Sequence, residues 1–159
     1  MENKSGLKIS VNVVGTLRDA RTGKITGQFK GKNLAVNVGL YSIAARLAGT
    51  DIPANTKGAI TYCAVGTDNT PAAAGQIKLV TEIFRKLVSV RSSTLAVARF
   101  RTFFNTDEAN DTLLELGLFG DDAAITADSG TLFCRIVINK TKTSAETLTL
   151  DWEVTVAAA

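Results

Sequence analysis

The chain has 159 residues, 45% of them hydrophobic and 21% charged, which is the balance of one folded domain with a proper core rather than of a disordered polymer. Its formal charge is +3, with Lys and Arg scattered among nearly as many acids, so no continuous phosphate-tracking stripe is present and nucleic acid is not the expected partner. The absence of histidine removes Ser-His-Asp and Cys-His nucleophile systems and every His-containing zinc site.

No apolar run approaches the roughly 18 residues that span a bilayer, and Met1-Glu2-Asn3-Lys4-Ser5-Gly6 lacks the apolar centre of a signal peptide. Synthesis in the cytoplasm, with no membrane partner, is the expectation. Leu7, Ile9, Val11 and Val13 then alternate with Lys8, Ser10 and Asn12, predicting a half-buried strand to about Leu17. The polar stretch Arg18 to Gly23 reads as a turn, and Lys24 to Lys30 as the returning strand of an N-terminal hairpin.

From Asn37 the period changes. Leu40, Ile43, Ala44 and Leu47 stand at helical spacing, Asn37 suits an N-cap and Gly49 a left-handed stop, so a short helix over about 37–48 is expected, packed as a lid on a sheet. Beyond a linker from Asp51 to Gly58, Ala59 to Val65 is apolar on both faces, as in a strand covered on both sides. The segment from Gly66 to Gly75 is a long loop of turn formers, expected to be mobile or pinned by a partner.

Glu82 to Val90 and Leu95 to Phe104 read as strands, the second with Ala96, Ala98, Phe100 and Phe104 inward and Arg99 and Arg101 outward. After a turn at 105–111, alternation resumes at Leu114, Leu116 and Leu118. Asp121 to Gly130 is a second surface loop; Leu132, Cys134, Ile136 and Ile138 form one face of the next strand; and 139–145 is a third loop. The last strand alternates Leu148, Leu150, Trp152, Val154 and Val156 with polar residues, which puts Trp152 in the core. Seven or eight short strands with one early helix predict a mainly β, antiparallel two-sheet sandwich or jelly-roll-like domain over 33–159, with 1–32 as a hairpin extension.

Cys63 and Cys134 each lie inside an apolar run, where a thiol acts as a small buried hydrophobe; a disulfide would require neighbouring strands and disagrees with a cytosolic origin. Asp107 with Glu108, and Asp121 with Asp122, are the carboxylate pairs that glycoside hydrolysis would use, but both sit in turns, where Asp bonds to local backbone. Neither segment has the ligand spacing of an EF-hand. No catalytic residue, metal or cofactor is therefore expected. Glu82 to Lys86 could pair charges across a sheet or present basic residues to a partner, but reads first as a solvated strand edge, while Arg99 and Arg101 either meet an acidic partner or keep an edge soluble.

The order of short motifs is more informative than any one of them. Asn33-Leu34-Ala35-Val36-Asn37-Val38-Gly39-Leu40, a helix ending Leu47-Ala48-Gly49, Ile60-Thr61-Tyr62-Cys63-Ala64-Val65-Gly66-Thr67 and Glu82-Ile83-Phe84-Arg85 occur in that sequence. They are followed by Phe104-Asn105-Thr106-Asp107-Glu108-Ala109-Asn110, Glu115-Leu116-Gly117-Leu118-Phe119, Gly130-Thr131-Leu132-Phe133-Cys134-Arg135 and Leu148-Thr149-Leu150-Asp151-Trp152. Over roughly 33–156 this order resembles a module of bacteriophage tail-fibre and tail-collar proteins.

The resemblance implies a virion component with no catalytic residues, partnered by copies of itself as a homo-oligomer and by other tail or capsid proteins. Tail-fibre proteins continue into a repetitive shaft and receptor-binding tip; none follows the last strand here, so host recognition is not expected of this chain. A tail, collar or baseplate adaptor is the first structural role and a capsid decoration protein the second; a carbohydrate-binding module is a third class kept beside them, less expected because it would need several exposed aromatics. The residues most available for contacts are Lys8, Arg18, Arg21 and Lys24 of the hairpin, Asp68, Asn69 and Pro71, Arg99 and Arg101, and Asp121 and Asp122. Deleting Met1 to Lys30 is expected to leave a folded domain that no longer enters particles.

Overall fold

Strict alternation over long stretches yields long strands. In the computed structural model, which describes residues 6–48 and 59–158, β1 (Leu7–Asp19) turns back into β2 (Ile25–Ala35) and leads into α1 (Asn37–Ala48). There follow β3 (Ile60–Gly66), β4 (Glu82–Leu87), β5 (Val90–Thr94), β6 (Val97–Phe104), β7 (Asp111–Gly120), β8 (Thr131–Lys142) and β9 (Glu146–Ala158). The protein is mainly β and antiparallel, a two-sheet sandwich with one short helix, as its pattern predicts. The expected helix stop at Gly49 and the linker from Asp51 to Gly58 lie outside the described residues.

Nine strands run in the order β4-β3-β7-β8-β2-β1-β9-β6-β5 and fold over on themselves at β2. Sheet A is β2-β1-β9-β6-β5 and sheet B is β2-β8-β7-β3-β4. β2 pairs with β1 from Ile25 to Asn33, then changes sheet, setting Leu34 opposite Arg135 and Ala35 opposite Cys134 of β8. On the opposite side the chain changes sheet again. Val88 N–H donates to the Thr61 carbonyl of β3 at 2.8 Å, and the next residue, Ser89, donates to the Arg101 carbonyl of β6 at 2.8 Å. The strand expected from Glu82 to Val90 is therefore split where its partner changes.

Leu95, expected to open a strand, instead occupies the left-handed region at φ 53° in the two-residue turn between β5 and β6. The sequence Ser92-Ser93-Thr94 conceals β5 because it reads as turn rather than strand.

The main core lies between the sheets and holds Val11, Val13, Leu17, Phe104, Leu116, Leu118, Leu148, Leu150 and Trp152, the last only 1% exposed. Phe84 meets Phe104 edge-on, with ring centroids 6.1 Å apart. At Gly15 the Phe29 ring crosses β1 so closely that an added Cβ would sit 2.1 Å from it. Cys63 and Cys134 are buried thiols; β7 separates their strands, and two strand spacings, about 10 Å, exceed the reach of a disulfide between them.

Two expectations are corrected. The hairpin is not an extension on a sandwich of 33–159: β1 lies between β2 and β9, paired with β9 from Leu7↔Ala158 to Asp19↔Glu146, and Val11, Val13 and Leu17 belong to the main core. The helix is not a lid with a buried stripe. Gly39 lies on the Phe133 backbone and Ile43 packs against the main core, but Leu47 is 83% exposed and Leu40 and Tyr41 are exposed too.

Candidate assembly interface

β3, β7 and β8 carry alternate residues to the outer face of sheet B, where the pattern is unusual for a surface. Ala64, Leu79, Phe119, Leu132 and Val36 form a second, smaller core there, each fully buried. The cover is supplied by the two loops joining β3 to β4 and β7 to β8, and each loop is anchored by a buried arginine.

Arg135 and Glu115 are both inaccessible to solvent, and Arg135 Nε donates to Glu115 Oε2 at 2.7 Å. The same guanidinium donates through Nη1 to the Thr70 carbonyl at 2.8 Å and to Gln76 Oε1 at 3.2 Å. Glu115 in turn accepts the backbone N–H groups of Val80 at 3.0 Å and Thr81 at 2.7 Å. Gly117, between these residues, is bare, and an added Cβ would meet the Leu79 side chain at 2.9 Å. The first loop is thus fixed to the sheet at Thr70, Gln76 and Val80–Thr81. It also reaches the helix, where Asn37 N–H donates to the Ala74 carbonyl at 2.8 Å.

Arg85 does the same for the second loop. It pairs with Glu82 through Nε at 2.5 Å and Nη2 at 2.7 Å, its guanidinium carbon is 4.5 Å from the Phe119 ring centre, and Nη1 donates to the carbonyls of Ala124 and Ser129. Lys78 Nζ donates to Asp128 Oδ2 at 2.9 Å and joins the two loops. The solvated-edge reading of Glu82 to Lys86 is overturned, since Arg85 is 3% exposed. A buried ion pair survives desolvation only when its remaining donors and acceptors are satisfied, as both of these are by loop backbone.

These clamps decide the standing of the loop residues. The main-chain carbonyl of Asp68 lies 3.5 Å from Arg135 Nη2, and the Asp68 carboxylate accepts the Thr70 N–H at 2.7 Å, while Asn69 and Pro71 are exposed on a loop that its own chain holds in place. Asp121, in the left-handed region at φ 56°, accepts the Ser42 hydroxyl at 2.9 Å and ties the second loop to α1; Asp122 is exposed beside it. Of the other carboxylate pair, Glu108 is held by Lys86 Nζ at 2.5 Å and by the Asn105 N–H at 2.9 Å, a turn-stabilising arrangement.

Among the described residues the outer face of sheet A has no such cover. Its central rows are Lys32-Asn12-Glu153-Arg99-Ser92 and Lys30-Val14-Asp151-Arg101-Val90, read across β2, β1, β9, β6 and β5. Arg101 forks onto Asp151 at 2.6 and 3.1 Å, and Arg99 pairs with Glu153 at 3.1 Å; both pairs are about half exposed, so each contributes at most about 1 kcal/mol. Lys30 and Lys32 are exposed and form no ion pair among the described residues. With Lys8 and Arg18 the face carries six cations against two acids, an excess larger than the whole chain's +3. Arg21 and Lys24 project from the adjoining turn, which Asp19 organises by accepting the N–H groups of Arg21 and Thr22.

The structure therefore gathers Lys8, Arg18, Arg21, Lys24, Arg99 and Arg101 on one sheet face and its turn, and leaves Asp68, Asn69, Pro71, Asp121 and Asp122 around the other sheet. The residues sequence reasoning missed are Arg85, Glu115 and Arg135. Their signal was a single charge inside an apolar strand run, Leu114-Glu115-Leu116 and Cys134-Arg135-Ile136, which favours a buried pair. Among the described residues no group of His, Cys, Asp and Glu is arranged to hold a metal ion. No family model, curated protein or solved structure matches this chain.

Proposed function

We propose that the protein is a non-enzymatic structural component of a bacteriophage particle, an adaptor of the tail appendage, collar or baseplate that works by assembly with copies of itself and with other virion proteins. The observation that carries this reading is the division of labour between the faces. One sheet is sealed by two loops locked with buried ion pairs, and the other, among the described residues, is left open and basic. A rigid body with one large uncovered face is suited to repeated docking, where modest contacts per copy gain strength through multivalency. The order of tail-fibre-like motifs adds to it.

A capsid decoration protein is the second reading, favoured by the basic excess of sheet A, which would complement an acidic shell. A carbohydrate-binding role is disfavoured because Trp152 is enclosed and the exposed aromatics, Tyr41 and Phe103, stand on separate elements. Labelling intact particles from the source with an antibody to this chain, viewed by electron microscopy, tests the proposal. Label at the tail supports the adaptor; label over the head replaces it with the decoration role; unlabelled particles overturn both.

A further inference from the structure

The two strands that end the sheet order are finished differently. β4 carries Glu82, Arg85 and Lys86, all engaged in ion pairs, which guards an edge against pairing. All five residues of β5, Val90-Arg91-Ser92-Ser93-Thr94, are exposed, and Arg91 is their only charge. β5 and β6 are joined by a two-residue turn, so the flanking pair Thr94–Val97 is hydrogen-bonded, as are Ser92–Arg99 and Val90–Arg101. The backbone N–H and C=O groups of Arg91 and Ser93 consequently point away from the sheet, and among the described residues neither finds another partner.

We infer that β5 pairs antiparallel with β5 of a second copy across a two-fold axis at Ser92, joining sheet A of the two molecules into one ten-stranded sheet. The register follows from the sequence. Pairing Arg91 with Ser93 of the second copy, and Ser93 with its Arg91, uses every outward donor and acceptor. Centring the axis on Arg91 would set two guanidiniums directly opposite, and centring it on Ser93 would run the pairing into the turn. In the Ser92-centred register no like charges face each other. It also brings Leu95, fully exposed at the turn, beside Ser89 and Val90 of the second copy, and Val90 is itself exposed.

The inference rests on the assembly reading only in taking a second copy as the occupant. Size-exclusion chromatography with light scattering, on the full chain, tests it through variants at the axis. Ser92→Glu and Ser92→Lys each place a charge opposite its own copy and reduce the dimeric mass to that of a monomer, and mixing the two variants restores the dimer. Ser93→Pro removes an outward N–H that its own sheet does not use and also gives a monomer, with an unchanged circular dichroism spectrum reporting the fold. A monomeric wild type, as an extended segment of another protein on this edge would produce, overturns the inference. So does a dimer that survives both charge variants, or a mixture that stays monomeric. Particle labelling is read independently, so loss of the dimer inference leaves the virion reading standing and the converse also holds.

Discussion

Arg135 and Glu115 form an ion pair inaccessible to solvent beneath the loops of sheet B, with the Asp68 carboxylate 3.9 Å from the guanidinium, and their value lies in what they organise. Arg135→Met alone strands a buried carboxylate and should cost about 3–5 kcal/mol in urea unfolding. Adding Glu115→Gln removes that charge and keeps one of the two oxygens that accept Val80 and Thr81, so the double variant should recover part of the loss and be more stable than the single one. A double variant no better than Arg135→Met would show that loop anchoring, not the pair, is the main term. Cys63 gives a second test. Burial pushes its thiol up to about 12. Above the ordinary thiol value of 9.0 an unfolded chain releases a proton that the folded chain keeps, so stability falls as pH rises from 9 toward 12, by up to about 1.4 kcal/mol per unit. The unfolding midpoint should drop more steeply over that window for the wild type than for Cys63→Ala; equal slopes would place the pH dependence elsewhere. Trp152 and Cys134 were legible because alternation assigns a face, and Cys63 because its run is apolar on both faces. The buried arginines were not, because charge usually marks an exposed face and the loops that enclose them come from elsewhere in the chain.

At the scale of elements, period was the reliable guide and pairing the unreliable one. α1 spans 37–48 as its spacing predicts, yet its stripe remains largely uncovered, since periodicity reports that a helix forms and not what lies against it. β1 and β2 were legible as a hairpin, but nothing local in them records that β9, more than a hundred residues away, pairs along the whole length of β1. Removal of residues 6–30 takes β1 and half of β2 out of sheet A and strips β9 of its β1 partner along its whole length, so such a chain should lack the cooperative thermal transition of the full domain. A cooperative transition in that truncation would restore the hairpin to the status of an appendage.

For the whole molecule, two sheet-switching strands, β2 on one side and the β4–β5 run on the other, tie the sheets together along both margins. Length, composition and strand count indicated a sandwich; this closure depends on single hydrogen bonds at Val88 and Ser89, which no sequence pattern announces. The pairing of β1 with β9 carries a mechanical consequence. Because the strands are antiparallel with Leu7 opposite Ala158, the first residue of β1 and the last of β9 emerge side by side at one end of sheet A. Tension between those two points loads the ladder one rung at a time, peeling it open rather than shearing every hydrogen bond together. A domain built this way yields easily when Leu7 and Ala158 are drawn apart, so in the assembly proposed above load would have to pass through other parts of the domain.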